Sequence, residues 1–376
     1  MNGVGYALAM DPRAPSTGKS SRVPHEPDGL LQDLRLAARN HAMPLEALRY
    51  PVTPAGLHYI LTHYDIPEVE PARWRLRVTG CVRRELELSL PDLEARPTVR
   101  LPVTMECAGN GRAFLAPRVA SQPWLHEAVG TAEWGGTPLV RVLEEAGLAD
   151  DAEEIVFTGL DRGVENEVDQ SFERSLPVAE ALRDEVLLAW EMNGGPLPPQ
   201  HGFPLRLVVP GWYGMASVKW LERITVLDRP FDGYQQLRGY RLRQAEDEEG
   251  EPLSRMLPRA LMIPPGIPEF PTRERFIDLV PCRIEGRAWS GWAPITRVEV
   301  STDRGASWTD AEVVAQSTPW SWAAWSLLWE PSSPGRYELA CRASDAEGNG
   351  QPDEARWNVG GYANNAVQRV EITVRG

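Results

Sequence analysis

The chain has 376 residues, of which 42 % are hydrophobic and 24 % charged, and a formal net charge of −14. That length exceeds one ordinary core, so two domains are expected. The acidic balance excludes general binding to a nucleic-acid backbone or an anionic membrane, which needs a basic surface.

The opening apolar run is short, lacks a preceding basic region, and no run reaches the roughly 18 apolar residues of a membrane span. A cytoplasmic protein with no membrane partner is expected. Residues 11–30 are rich in Pro, Ser and charge, which predicts a mobile N-terminal arm over 1–30. From residue 31 the signals mix. WRLRVTGCV and LRLVVPGW have the pattern of strands closed by Gly turns, and TPLVRVLEEAGL has helical spacing ending on Gly. This is an α+β pattern over 31–255, without the fingerprint of a dinucleotide fold or a P-loop. RQAEDEEGEP and LMIPPGIPEFPTRE, between residues 243 and 274, combine an acidic run with Pro-rich chain and mark the domain boundary. Beyond it, short alternating segments punctuated by Gly, Pro and Asp predict an immunoglobulin-like β-sandwich over 265–376. Eight of the 14 Trp fall between Trp289 and Trp357, more than one small core needs, so some are expected at a domain or subunit interface.

Four cysteines are present, Cys81, Cys107, Cys282 and Cys341. They form no CxxC pair, which argues against a zinc cluster, a thioredoxin motif or a haem attachment, and they are read as free thiols of a reducing compartment. Cys107 stands out. It ends the strand-like run VRLPVTMEC and enters the turn AGNGR. The glycines let a large group approach the backbone, and Arg112 and turn N–H groups would favour a thiolate. A ligating or nucleophilic thiolate fits this pattern, and so does a buried structural thiol. A nucleophile would need a base, for which His41, His126 and His201 are candidates.

Read together and in order, RNHAMP, ECAGNGR, GTAEWGGTPL, EMNGGPLPPQHGFPLRLVVPGWYGMASVKW and STDRGASW resemble the sulfite oxidase family of molybdenum enzymes over residues 36–376. The resemblance implies a mixed α/β domain holding a molybdenum-molybdopterin cofactor, followed by an immunoglobulin-like domain that makes a homodimer. It implies that Cys107 gives a thiolate to molybdenum, with the pterin supplying most of the ligation. The implied cofactor-binding residues are Arg39, Asn40, His41, Asp161, His201, Arg206, Ser217, Val218 and Lys219. Among these, Arg206 and Lys219 suit a phosphate and Asp161 suits pterin amino groups.

The implied substrate pocket consists of Arg39, Arg112, Trp124 and Tyr240, and the implied reaction is oxidation of sulfite to sulfate by oxygen-atom transfer. An arginine that animal sulfite oxidases carry after WNL is Gly360 here, in RWNVGGYANN. Losing one charge-assisted partner weakens a dianion by roughly 1.5–3 kcal/mol. Either Arg238, Arg241 or Arg243 compensates, or the substrate is another oxyanion, sulfoxide or N-oxide, nitrate included. No haem, flavin or nicotinamide signature occurs in the chain, so the expected electron acceptor is separate: a cytochrome c-like protein, a small molecule or oxygen.

Overall fold

A computed structural model of the chain describes residues 27–165 and 167–376. Most of the N-terminal arm expected over 1–30 lies outside the described residues; its last four residues open the helix Pro27–Arg39. The first half contains two sheets. In one, Leu76–Gly80 lies parallel to Leu221–Leu227 and antiparallel to Leu86–Leu88, and Leu221–Leu227 continues into the hairpin of Glu154–Glu165 and Val168–Pro177. In the other, Val99–Glu106, Val129–Pro138 and Leu187–Met192 run antiparallel, with Arg206–Val208 added to the last.

The second sheet is apolar on both faces. One face joins the large core that includes Leu76, Val78, Leu139 and Leu207. The other packs Val103, Met105, Ala132, Trp134 and Ala189 together with Cys107. Strand alternation explains the position of the cysteine: Val103, Met105 and Cys107 are spaced by two and share one face. The VRLPVTMEC run thus delivers its sulfur to the end of a buried sheet.

The last third forms two further sheets. Arg259–Met262, Cys282–Trp289, Ala323–Trp329 and Glu312–Val314 make one, and six strands that include Ile295–Ser301, Gly335–Asp345 and Gln368–Arg375 make the other. Residues of both, among them Ile284, Trp325, Val298, Leu339 and Ile372, fill one shared core. Trp289 and Trp322 point out of it into the core of the first half, which accounts for part of the tryptophan excess. All four cysteines are free. Among the described residues, no helix is long and apolar enough to cross a membrane.

One buried polar cluster joins the halves. Glu106 and Arg259 pair at 2.6 Å with side chains 3 % and 1 % exposed. The Glu106 carboxylate also accepts from Asn110 Nδ2 at 3.0 Å and from Trp289 Nε1 at 2.9 Å. Arg259 Nη2 donates to His126 Nδ1 at 2.9 Å. Burial, with the Arg259 charge adding to it, holds His126 down at about 3, so its ring stays neutral and can accept.

Two outcomes are expected. Arg259→Met leaves a buried carboxylate without its cation and should cost about 3–5 kcal/mol, read as a lowered Tm that Glu106→Gln partly restores in the double variant. Because the folded pKa of His126 lies below its unfolded value, the stability it contributes is full above pH 6.5 and is lost as pH falls towards 4, by up to about 1.4 kcal/mol per pH unit. His58, held at about 4 by burial, and His63 and His201, also lowered by burial, add further protons over the same window. Thermal unfolding from pH 8 to 4.5 should show the loss, and His126→Gln should flatten it; a curve that the variant leaves unchanged would refute the assignment.

Candidate active site

Cys107 lies where two chambers meet, and its side chain lines both. The inner chamber, about 640 Å³, is bounded by His58, His63, Asp161, His201, Arg206 and Lys219, with Ser217 and Tyr240 also on its wall. The outer chamber, about 1540 Å³ with its open mouth, is bounded by Asn40, Arg112, Trp124, Glu165, Tyr240 and Tyr362.

The inner chamber is rich in donors and short of counter-charge. Arg206 is buried, donates to the His201 and Ser217 carbonyls at 3.0 Å each, and lies 4.6 Å from the centre of the Trp134 ring. Lys219 donates to the Leu61 and Gln200 carbonyls at 2.8 and 3.1 Å, which leaves one ammonium proton. Neither cation has a carboxylate within 4.0 Å among the described residues. Burial lowers both, Arg206 to about 10 and Lys219 further with the Arg206 charge beside it; burial raises Asp161. Asp161 Oδ1, His58 Nε2 and His201 Nε2 are buried without a hydrogen-bond partner. Orphaned acceptors beside unpaired cations are costly in an empty pocket. They fit a large polar ligand that carries N–H donors at one end and an anion at the other.

The Cys107 turn is built to hold Arg112. The guanidinium lies over Gly109, where a Cβ would come within 2.5 Å of Nη2, and its stem passes Gly361, where a Cβ would come within 2.7 Å of Cγ. Arg112 Nε donates to the Gly360 carbonyl and Nη1 to the Gln122 carbonyl, both at 3.1 Å. Its guanidinium sits 5.2 Å from the centre of the Tyr362 ring. Burial raises the Cys107 thiol, and the Arg112 charge and the Gly109 N–H act against it without reversing the shift. In the protein alone this favours the thiol, one of the two readings the sequence leaves open, and a bound cation beside the sulfur would favour the thiolate.

The structure brings Cys107, Asp161, His201, Arg206, Ser217, Lys219 and Tyr240 to the inner chamber, and Asn40, Arg112 and Trp124 to the outer one. Val218 is core behind the wall. Arg39 and His41 reach neither chamber. Arg39 ends the first helix, is 51 % exposed, and binds Asp65 and the Tyr64 carbonyl. His41 is exposed and its backbone bridges Ile60. His63, three residues past the bridged Ile60, lines the inner chamber. His58 and His63 had no motif to mark them. Arg241 is turned to Glu249 and the Gly250 carbonyl, and Arg243 to the Arg238 and Glu246 carbonyls; neither they nor Arg238 lines a chamber, so the proposed compensation for Gly360 is absent among the described residues.

Residues 63–235 match the oxidoreductase molybdopterin binding domain family, and residues 271–375 match the Mo-co oxidoreductase dimerisation domain family. Sulfite oxidase of Gallus gallus is 36 % identical, over 85 % of this chain and 72 % of its own. Mitochondrial sulfite oxidase of Mus musculus is 34 % identical over 86 % of this chain, which spans 62 % of that relative's length. Among solved structures, the sulfane dehydrogenase SoxCD of Paracoccus pantotrophus superposes with a TM-score of 0.76 and 29 % identity, covering 87 % of this chain and 82 % of that one. The two domain matches in tandem, with relatives of this identity and coverage, establish that the chain belongs to the sulfite oxidase family of molybdenum-molybdopterin oxidoreductases.

Proposed function

We propose that the chain transfers an oxygen atom to or from a small sulfur compound, with molybdenum held through Cys107 and the pterin in the inner chamber. The observation that carries this is the single sulfur shared by an unpaired, donor-rich chamber and an open one. The orphaned Asp161 Oδ1 and the unpaired Arg206 and Lys219 are what a pterin with an anionic tail would satisfy. His63, His201 and Ser217 would line the same group.

When bound, the cofactor supplies the two-electron oxygen-atom chemistry. The chain's own residues position and neutralise. Arg112 Nη2 is free of protein partners among the described residues and faces a substrate oxygen. The Tyr240 hydroxyl pairs with His63 Nε2 at the edge of both chambers. Burial keeps that phenol protonated far above its ordinary range and holds His63 neutral, near 3, so Tyr240 holds its proton at neutral pH and, where His63 donates to it from Nε2, turns that proton to a substrate oxygen. Electrons leave to a separate acceptor, for which a cytochrome c-like protein, a small molecule and oxygen are the options.

Sulfite oxidation to sulfate is supported by the names of the relatives. A second reading, the same chemistry on another oxyanion, sulfoxide or N-oxide, is favoured by one observation: Arg112 is the one cation on the outer chamber wall among the described residues. For the architecture, we propose a catalytic unit over 31–255 and an immunoglobulin-like unit that makes a homodimer; expected over 265–376, that unit starts earlier, at the strand Arg259–Met262, whose Ala260 and Met262 belong to its two-sheet core.

Cys107→Ser should lower turnover by about 100-fold or more while leaving the Tm within a few degrees; near-full activity in that variant would sink the molybdenum assignment. Arg112→Gln should raise KM for sulfite by about tenfold or more, and for a neutral substrate much less. Equal effects on both would remove Arg112 from the substrate site.

A further inference from the structure

The inner chamber holds a donor that the protein itself does not satisfy. Tyr59 lies on its wall together with Cys107, Arg206 and Gly214. The Tyr59 hydroxyl has no hydrogen-bond partner among the described residues. At Gly214 a Cβ would come within 2.4 Å of that hydroxyl oxygen and 3.4 Å of the Glu106 carbonyl oxygen. The hydroxyl therefore sits beside the backbone that leads into Cys107, at a wall position whose missing side chain leaves it room.

The phenol is held there from several sides. Its ring stacks on His58 with centres 5.1 Å apart and packs in the cluster of Met105, Cys107 and Trp134. His58 Nδ1 bonds to the Tyr59 carbonyl at 3.1 Å, and the next residue, Ile60, is bridged to His41. The hydroxyl cannot swing to another partner without breaking this packing. Burial raises the phenol far above its ordinary range; Cys107 nearby adds to the rise and the Arg206 charge acts against it. The group thus keeps its proton and is a donor. A phenylalanine would fill the same space without an unmet polar group, and a buried donor with no acceptor is costly. The acceptor that fits lies on a ligand beside the cysteine.

We propose that Tyr59 is a positioning residue of the metal centre, whose hydroxyl donates a hydrogen bond to a metal-bound sulfur on the inner side of Cys107 and so favours the reduced metal. This rests on the reading of molybdenum held through Cys107 and adds to it a residue that tunes the centre. A hydrogen bond to a ligating sulfur draws electron density from the metal, which stabilises the electron-rich state and raises its potential. The sulfur of Cys107 and those of the pterin offer the same chemistry.

The test uses holoenzyme of confirmed, near-stoichiometric molybdenum content. Tyr59→Phe keeps the ring and removes only the hydroxyl. In a redox titration followed by EPR, its molybdenum couples should move to more negative potential, with the reduced-to-oxidised ratio at a fixed potential lower by about threefold or more, while the Tm stays close to that of the wild type. Resonance Raman then names the acceptor: the metal–sulfur stretch that shifts belongs either to Cys107 or to the pterin. Gly214→Ala sets a methyl against the hydroxyl. It should lower the Tm and shift the potential in the same direction, and the double variant should regain the Tm and shift no further than Tyr59→Phe alone. A Tyr59→Phe holoenzyme with wild-type potential, EPR spectrum and metal–sulfur stretches would overturn the inference while leaving molybdenum at Cys107 standing. Additive shifts in the double variant would place the effect in the backbone rather than the hydroxyl and would overturn it too. Wild-type protein that takes up no molybdenum in a host that makes the cofactor would overturn the molybdenum reading, and this inference with it.

Discussion

The Glu106 carboxylate, buried between Arg259, Trp289 and Asn110, is the constraint on which the site depends. Taking an ion pair out of water costs more than the attraction returns unless the remaining lone pairs and protons are also satisfied. Here they are largely satisfied: both carboxylate oxygens accept, and Arg259 extends to His126. Asn110 then closes the loop, donating to the His126 carbonyl and accepting from Ala128 N–H at 3.1 Å each. Because Glu106 precedes Cys107, the side chain on one face of the strand fixes the register of the sulfur on the other.

That cluster also explains why the last third of the chain belongs to the site. Arg259 and Trp289 come from its first sheet, and its final loop comes back to the cysteine turn. Asn364 Nδ2 donates to the Gly111 carbonyl at 2.7 Å, and Ala363 N–H to the Ala108 carbonyl at 2.8 Å. Gly360 and Tyr362 then complete the wall around Arg112. The outer chamber thus takes one wall residue, Tyr362, from the last third, whereas the inner one is lined from the first unit alone. Loss of C-terminal packing would be felt first where substrate enters.

The same division decides what was legible in the sequence. Asp161, His201, Arg206, Ser217 and Lys219 lie on adjacent strands and turns whose local pattern travels with them, and the structure sets all five on the wall of the inner chamber. The strands around Cys107 were legible for the same reason. Arg39 and His41 stand outside both chambers although RNH has the matching letters: Arg39 is spent on Asp65, and exposed His41 is bridged through its backbone to Ile60. His63 carries no periodic or spacing signal of its own. Tyr362 was equally invisible, since its role exists only once a loop near the C-terminus folds back over residue 112. The Gly360 substitution was visible as a missing charge, but not that the space had been filled by a ring.

Tyr240 links these levels. Its φ of 48° places a bulky residue in the left-handed region, at a cost of order 1 kcal/mol or more that surrounding contacts must offset. Those contacts are the stack on Tyr362, the Arg174 guanidinium behind the ring, and the hydroxyl pair with His63. Arg112, Tyr362, Tyr240 and Arg174 therefore alternate cation, ring, ring and cation across the chamber wall. In that order each ring faces positive charge on one side and a partner ring on the other, which suits the negative π-faces and anchors all four groups in one geometry. The arrangement spends Arg174 on holding a tyrosine rather than on binding an anion.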